Sequence, residues 1–255
     1  MQSHAVEKYL AELGLLRKPG TLYCARLVLL EYLPHANSAD IRGGVMDYLA
    51  ACRSRGNGSR TLAQKATRLQ AFYRSIGVEL RLPKIRWPQK SPTAFTPAES
   101  DALLRSAGQH RRTIQLMLQS GLRATEMCSL RFADIDRRGV TVRGNVAKNY
   151  RERTVPLTAA RVAQFDAAES MLVLGGKNRN WLGRMVERVG KKAKLSRHVH
   201  PHLFRSTFAT RLLQAGIDVL TVSKLLGHSQ LTITMRYLAA LPDEALHARI
   251  TRVWA

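Results

Sequence analysis

Hydrophobic side chains recur three and four positions apart over most of the chain, a spacing that predicts amphipathic helices. In residues 1 to 83 four stretches show it: AVEKYLAELGLL, TLYCARLVLLEYL, IRGGVMDYLAACRS and SRTLAQKATRLQAFYRSIG. Pro19 with Gly20, then Asp40, then Gly56 with Gly58 precede the last three, and such residues commonly start or interrupt helices. This part of the chain is therefore predicted to be all-helical.

The periodicity stops in residues 81 to 93, RLPKIRWPQKSPT. This segment holds three prolines and four basic residues, which predicts an extended connector. We therefore place a helical domain at residues 1–83, a basic linker at 84–93 and a second domain at 94–255. Thr96 and Pro97, followed by Glu99, predict the first helix of the second domain, PAESDALLRSA.

Residues 139 to 157, GVTVRGNVAKNYRERTVPL, follow a different pattern. Apolar and polar residues alternate on both sides of a polar turn, which predicts a small antiparallel sheet. Helical spacing returns in TAARVAQFDAAESML and WLGRMVERVGKKAKL. The predicted fold class is mainly α with a small antiparallel β-sheet.

A histidine and an arginine share one predicted helix after residue 200. Pro201 suits the first turn of a helix, and Phe204 and Phe208 continue its apolar stripe. His202 and Arg205, three positions apart, then lie on one flank of that helix and can face one ligand.

A second histidine and a tyrosine follow on separate elements. Asp218 can cap a helix, VLTVSKLL, that Gly227 ends, so His228 lies on the next turn. Tyr237 comes nine residues later, on a short helix that starts near Thr232. A histidine and an arginine, a second histidine and a phenol are the side chains that transfer to a phosphate would need.

The stretches HLFRS and LLGHS, with Tyr237 nine residues after the second histidine, resemble the C-terminal signature of the tyrosine recombinases, the lambda-integrase and Xer-type DNA strand-exchange enzymes. Phe204 replaces the usual leucine and Ser206 the usual second histidine. SGLRATEM resembles the stretch that holds the family's first catalytic arginine, which assigns Arg123 to that role and Glu126 to the acidic residue that orients the arginines.

The same resemblance places the family's catalytic lysine in the predicted hairpin. Lys148 occupies that position, eight residues before Pro156. Arg151 is the nearest rival, but a guanidinium stays charged at working pH and is a poor proton donor, whereas a lysine amine can release its proton. The implied catalytic set is Arg123, Lys148, His202, Arg205, His228 and Tyr237.

The resemblance implies cleavage of one DNA strand by Tyr237, which forms a 3′-phosphotyrosyl bond and frees a 5′ hydroxyl. Arg123, Arg205 and His228 would stabilise the phosphate, and Lys148 would protonate the leaving oxygen. His202 would assist deprotonation of the tyrosine. Two arginines can replace the divalent metals of nucleases here, so no cofactor is expected.

The resemblance also implies a partner and an assembly. The partner is double-stranded DNA with specific core sites, and the active form is a homotetramer on paired sites that passes through a Holliday junction; the free protein is expected to be a monomer or weak oligomer. Integration, resolution and inversion remain open, as does a need for accessory proteins.

The first domain resembles the helical, SAM-like core-binding domain of Xer-type enzymes. Leu246, Ile250 and Val253 predict a terminal helix that docks on a neighbouring protomer or in cis.

Charge points to the same partner independently. Lys and Arg outnumber Asp and Glu by 41 to 18, a formal net charge of +23, while 45% apolar residues suffice for a core. This combination indicates a folded chain with a polyanionic partner rather than a disordered chain. The candidate DNA contacts lie on the fourth helix, in the linker and in the hairpin: Arg60, Lys65, Arg68, Arg74, Lys84, Arg86 and Arg151.

Other classes receive less support. Three cysteines without C-x-x-C spacing argue against a disulfide framework and a zinc site, and His198, His200 and His202 lack metal-binding context. The longest apolar run, LVLLEYL, is short and contains Glu31, and no signal peptide is visible. A cytoplasmic, nucleoid-associated protein of prokaryotic, phage or mobile-element origin is expected.

Two alternative functions remain. A type IB topoisomerase-like nicking-closing enzyme would share the residues but would act as a monomer without paired sites. A catalytically silent DNA-binding regulator would keep the fold and form no covalent tyrosine adduct.

Overall fold

The computed structural model describes residues 2–88, 91–147, 151–165 and 172–241. The chain forms two compact units, Met1–Gln89 and Lys90–Ala255. The division falls inside the segment 84–93, where the sequence predicts a linker. Leu82, just before that segment, and Ile85, near its start, pack on the core of the first unit.

The first unit contains four helices among its described residues. Pro19 begins the second helix, and the Asp40 carboxylate caps the third by accepting from the Gly43 N–H at 2.7 Å. Leu29, Leu69 and other apolar side chains close the core between them. The helices are α1 (Gln2–Leu16), α2 (Pro19–Tyr32), α3 (Ile41–Ser54) and α4 (Ser59–Ser75).

The second unit combines helices with one small sheet, which confirms the predicted fold class. The described elements are α5 (Pro97–Ser106), α6 (Arg111–Ser120), α7 (Ala124–Cys128), β1 (Ile135–Asp136), β2 (Gly139–Val142), β3 (Arg153–Val155), α8 (Ala159–Val162), α9 (Arg179–Lys192), α10 (Pro201–Gln214), α11 (Val219–Leu226) and α12 (Leu231–Leu238).

The sheet is antiparallel in the order β1-β2-β3, with Val140 opposite Val155. The two-residue strand β1 was not predicted, because two residues are too few to show an alternating pattern. Of the helix predicted over residues 158 to 172, the described part is α8, which makes one turn, and a 3₁₀ turn that continues it to Phe165. Residues 166–171 lie outside the described parts.

Helix α10 is the central element of this unit and packs against α6, α9, α11 and α12. Its burial on several sides explains why Arg205 and Thr207 are nearly inaccessible although both are polar. The Thr207 hydroxyl donates to the Leu203 carbonyl and accepts from the Phe95 N–H at 2.8 Å. Phe95 also packs edge-on against Phe204, with ring centroids 5.0 Å apart. These contacts hold the start of the second unit on the helix that carries His202 and Arg205.

Within the described ranges, no helix is long and apolar enough to cross a bilayer.

Candidate active site

The C-terminal end of α11 is the centre of the site. The last carbonyls of an α-helix have no partner within the helix and carry partial negative charge. Here the carbonyls of Leu225, Leu226 and Gly227, which we call the α11 carbonyl cluster, each accept from an arginine. The donors are Arg153 Nε to Leu225 at 2.7 Å, Arg205 to Leu226, and Arg123 to Gly227 at 2.9 Å.

Gly227 makes this convergence possible. It has φ +63°, a left-handed conformation that glycine adopts without the steric cost of a side chain. A Cβ at this position would also lie 3.0 Å from an Arg153 guanidinium nitrogen. The glycine therefore both ends the helix and leaves space for the arginine.

Glu126 connects two of the three arginines. Its side chain is 1% exposed and accepts from the Arg123 guanidinium at 2.8 Å and from Arg153 at 2.7 and 3.1 Å. It also accepts from the Arg123 backbone N–H at 2.8 Å, at the start of α7. Burial alone would raise the pKa of this carboxyl, but Arg153 and Arg123 outweigh it and lower the pKa to about 2. Glu126 is therefore ionised and fixes both guanidinium groups.

This depressed pKa predicts a pH-dependent contribution of Glu126 to stability. The stabilisation is present above the ordinary pKa of 4.5 and is lost as pH falls through the folded value near 2. We expect Glu126→Gln to lower the free energy of unfolding by about 3 kcal/mol at pH 7. The difference from wild type should shrink as pH falls from about 5 to 2. Denaturant unfolding of both proteins across that range measures it, and a difference independent of pH would contradict it.

Among the described residues, only main-chain carbonyls accept hydrogen bonds from the Arg205 guanidinium. The residue is 2% exposed and donates to the Gly121 carbonyl at 2.8 Å and to the Leu226 carbonyl. Gly121 ends α6 with φ +59°, and a Cβ there would lie 2.4 Å from the Phe208 ring. Burial, then the Arg123 charge, lowers the pKa of Arg205, yet a guanidinium starts so far above neutral pH that it stays charged.

His228 lies directly after the α11 carbonyl cluster. Its Nδ1 is 2.7 Å from the Thr234 hydroxyl, and its ring is nearly parallel to the Tyr237 ring at 6.4 Å between centroids, with an interplanar angle of 7°. Burial, followed by the charges of Arg205 and Arg123, lowers the pKa of His228 to about 3, so the ring is neutral at physiological pH. Tyr237 is 3% exposed and packs with Phe208 and other apolar side chains.

His202 lies one turn before Arg205 on α10 and is exposed as a whole. Surrounding protein atoms, then the Arg205 charge, lower the pKa of its ring. His200 lies parallel to it, 6.5 Å away, and His198 lies 5.8 Å beyond His200. Across the described residues, no group of three His, Cys, Asp or Glu side chains is placed to hold a metal ion.

The structure thus brings most of the predicted site residues together. Arg123, Glu126 and Arg205 meet around the α11 carbonyl cluster, His228 follows it, and Tyr237 lies against His228. Lys148 lies outside the described residues.

Arg153 is the residue of the site that the sequence analysis missed. The Arg153 side chain is 8% exposed and donates to Glu126 and to the Leu225 carbonyl. Arg151, the alternative to Lys148 in the sequence, is exposed. Alternate residues of a strand face the same side, so Arg153 shares a face with the buried Val155. An arginine at an inward position of a strand requires a buried partner, and this signal could have identified it.

The candidate DNA contacts differ in exposure. Arg68 is partly buried, while Arg60, Arg74, Lys84, Arg86 and Arg151 are exposed. Lys65 is less accessible than these exposed residues, because its side chain is 12% exposed and pairs with Glu31. It also lies 3.1 Å from the Tyr48 hydroxyl. Lys65 is three residues after buried Leu62, which places it at the edge of the core rather than on the solvent face.

The chain is similar in sequence and fold to known proteins. Residues 95–244 match the model of the phage integrase family. The tyrosine recombinase XerA of Thermococcus kodakarensis is 31% identical over 217 residues, which cover 74% of each chain. Among solved structures, the Tn1549 transposon integrase in complex with circular intermediate DNA has a TM-score of 0.75 at 20% identity, covering 99% of each chain. A lambda integrase dimer bound to a core site has a TM-score of 0.73 at 15% identity, covering 92% of this chain and 94% of that one.

Proposed function

Since the chain belongs to the phage integrase family and is a tyrosine-type site-specific DNA recombinase, we propose that Tyr237 is its nucleophile and that Arg123, Arg205 and His228 bind the reacting phosphate. The observation that carries this proposal is the α11 carbonyl cluster, which draws the arginines to the turn where His228 lies. His228 in turn lies against the Tyr237 ring.

The chemistry of each side chain fits its proposed role. Attack on a phosphodiester places extra negative charge on the non-bridging oxygens, which permanently charged guanidinium groups stabilise. The Tyr237 oxygen forms a bond to phosphorus, the bond to the 5′ oxygen breaks, and the tyrosine loses its proton. His202 assists that deprotonation, and Lys148 protonates the leaving 5′ oxygen. Glu126 positions Arg123, and Arg153 acts through Glu126 rather than on the phosphate.

We assign DNA binding to both units. In the first unit, Arg68 and Lys84 line an open groove of about 600 Å³ together with Gln64, Gln70 and Trp87. Basic and amide side chains of this kind contact phosphates and sugars and so position a duplex without reading its sequence. Further phosphate contacts are assigned to Arg60, Arg74, Arg86 and Arg151.

The proposed reaction sequence involves four protomers on two core sites. One pair of strands is exchanged through 3′-phosphotyrosyl bonds, a Holliday junction forms, and the second pair follows. Residues 242–255, which contain the predicted terminal helix, lie outside the described residues. We propose that this segment joins neighbouring protomers and that the protein acts on nucleoid or mobile-element DNA in the cytoplasm.

A trapping experiment tests the assignment. A labelled duplex from DNA flanking the gene, nicked just 3′ of the scissile phosphate, releases on cleavage the short fragment that carries the 5′ hydroxyl, so the labelled strand stays bound to the protein as the covalent intermediate. We expect a covalent adduct on a denaturing gel, with peptide mapping that locates the DNA on Tyr237.

Two other outcomes contradict the proposal. DNA binding without any adduct would indicate a silent regulator. Relaxation of supercoiled plasmid without paired sites, and without recombinant products, would indicate a topoisomerase-like enzyme. A two-site plasmid assayed beside a one-site plasmid distinguishes the latter from recombination.

A further inference from the structure

We propose that Thr234 is a positioning residue that selects the tautomer of His228, so that the catalytic ring presents a hydrogen-bond donor to the DNA phosphate. This inference rests on the proposed role of His228. Thr234 lies outside the motifs that the sequence analysis assigned, and its effect on the reaction would pass through the histidine alone.

The contact between the two side chains is short and enclosed. The Thr234 hydroxyl is 2.7 Å from Nδ1 of His228, and Thr234 is 0% exposed. Water therefore cannot take the place of either partner without a change in packing. A hydroxyl can donate or accept, so the direction of this hydrogen bond decides where the imidazole proton lies.

The surroundings of Thr234 indicate that its hydroxyl donates. Helical threonines usually donate to the carbonyl four residues earlier, as Thr67 does to Ala63 and Thr207 does to Leu203. Within the described residues, Thr234 has no such bond, and Nδ1 of His228 is the acceptor that its hydroxyl contacts. A buried hydroxyl proton without an acceptor would be unfavourable, so Nδ1 accepts and carries no proton.

The charge state of His228 makes this direction important. Burial, then the charges of Arg205, Arg123, His202 and Arg153, lower the pKa of His228 and oppose its protonation. A neutral imidazole has one N–H donor only. With Nδ1 occupied by the threonine proton, the ring proton lies on Nε2 and is available to a phosphoryl oxygen. The other tautomer would turn a lone pair towards an anion.

The position of Thr234 also couples His228 to the nucleophile. Thr234 and Tyr237 are three residues apart on α12 and both are buried. The helix that delivers the tyrosine therefore also delivers the hydroxyl that sets the histidine. If α12 left its place, the site would lose the nucleophile and the correct tautomer together.

Four variants test the proposal. Thr234→Val keeps the shape and removes the hydroxyl, and Thr234→Ser keeps the hydroxyl and removes the methyl group. We expect Thr234→Val to slow cleavage of the nicked duplex about 10-fold, as a partial loss of one transition-state donor, with DNA affinity unchanged. Thr234→Ser should restore most of the rate. In a His228→Gln background, Thr234→Val should have no further effect, because its action requires the imidazole.

Nitrogen NMR of the DNA-free protein, labelled at histidine, measures the tautomer of His228, which a change in packing alone would not alter. We expect the wild-type His228 to have its proton on Nε2, and Thr234→Val to show a mixture of tautomers. A proton on Nδ1 in the wild type, a normal cleavage rate in Thr234→Val, or an additive effect in the His228→Gln background would each overturn the inference. Failure of the wild type to form any adduct would instead overturn the proposed function.

Discussion

Tyr237→Phe is expected to abolish the covalent DNA adduct and to reduce strand cleavage by about 10⁴-fold or more, since loss of a covalent nucleophile removes the reaction path itself. The substitution removes one oxygen and retains the ring. That ring packs with Phe208 and other apolar side chains and lies parallel to His228, so both contacts persist. Thermal stability and DNA affinity should therefore remain close to wild type. Denaturing gels of the nicked duplex measure the adduct, and gel shifts measure the affinity.

A matched control is present in the same part of the chain. Tyr150 is the other tyrosine in residues 94–255. Tyr150→Phe should form the adduct at a rate within a few-fold of wild type, because its phenol has no role in the proposed chemistry. An adduct that survived Tyr237→Phe and disappeared in Tyr150→Phe would move the nucleophile to the hairpin and refute the assignment.

Arg205→Lys is expected to reduce cleavage by about 10³-fold while the protein still binds DNA. Lysine keeps the positive charge but not the planar fork. A single ammonium cannot donate to the Gly121 and Leu226 carbonyls in the fixed geometry of the guanidinium and still face a phosphate. Single-turnover cleavage rates, compared with the DNA dissociation constant, separate the loss of transition-state stabilisation from loss of binding.

Arg138→Lys is the control for this experiment. Arg138 is an exposed arginine that pairs with Asp136 beside the sheet, and its replacement should leave cleavage unchanged. The thermal midpoint of Arg205→Lys must also be measured, because removal of a buried donor leaves a carbonyl without its partner. A stable Arg205→Lys protein that cleaves at the wild-type rate would refute a specific role for the guanidinium.

Local sequence chemistry predicted much of the helical framework. Asp40, Thr96 and Asp218 each accept a backbone N–H at the start of the helix that the pattern predicted. Gly227 ends α11 in the left-handed conformation, as its position indicated. These features depend on residues a few positions apart, which is why the sequence alone was sufficient.

Features that depend on distant contacts were harder to predict. Lys65 was predicted as a DNA contact on α4, but its ammonium forms an ion pair with Glu31, 34 residues earlier in the chain. Arg153 was missed because its partners come from α7 and α11, far from the hairpin in the sequence. The family motifs identified Arg123, His202, Arg205, His228 and Tyr237 as a set. The carbonyls that hold Arg123 and Arg205 were not predictable, because main-chain carbonyls leave no trace in side-chain identities.

The α11 carbonyl cluster has a consequence for engineering this enzyme towards new target sequences. Side-chain substitutions cannot remove a carbonyl, so mutations that replace one residue by another around α11 should leave the arginines in place, except at the two left-handed glycines. A one-residue insertion or deletion between Leu225 and His228 would instead shift these carbonyls by one position along the chain. Each arginine would then lie opposite the carbonyl of an adjacent residue. Libraries for retargeting can therefore randomise residue identity in this region, provided that the length of the chain through it is kept constant.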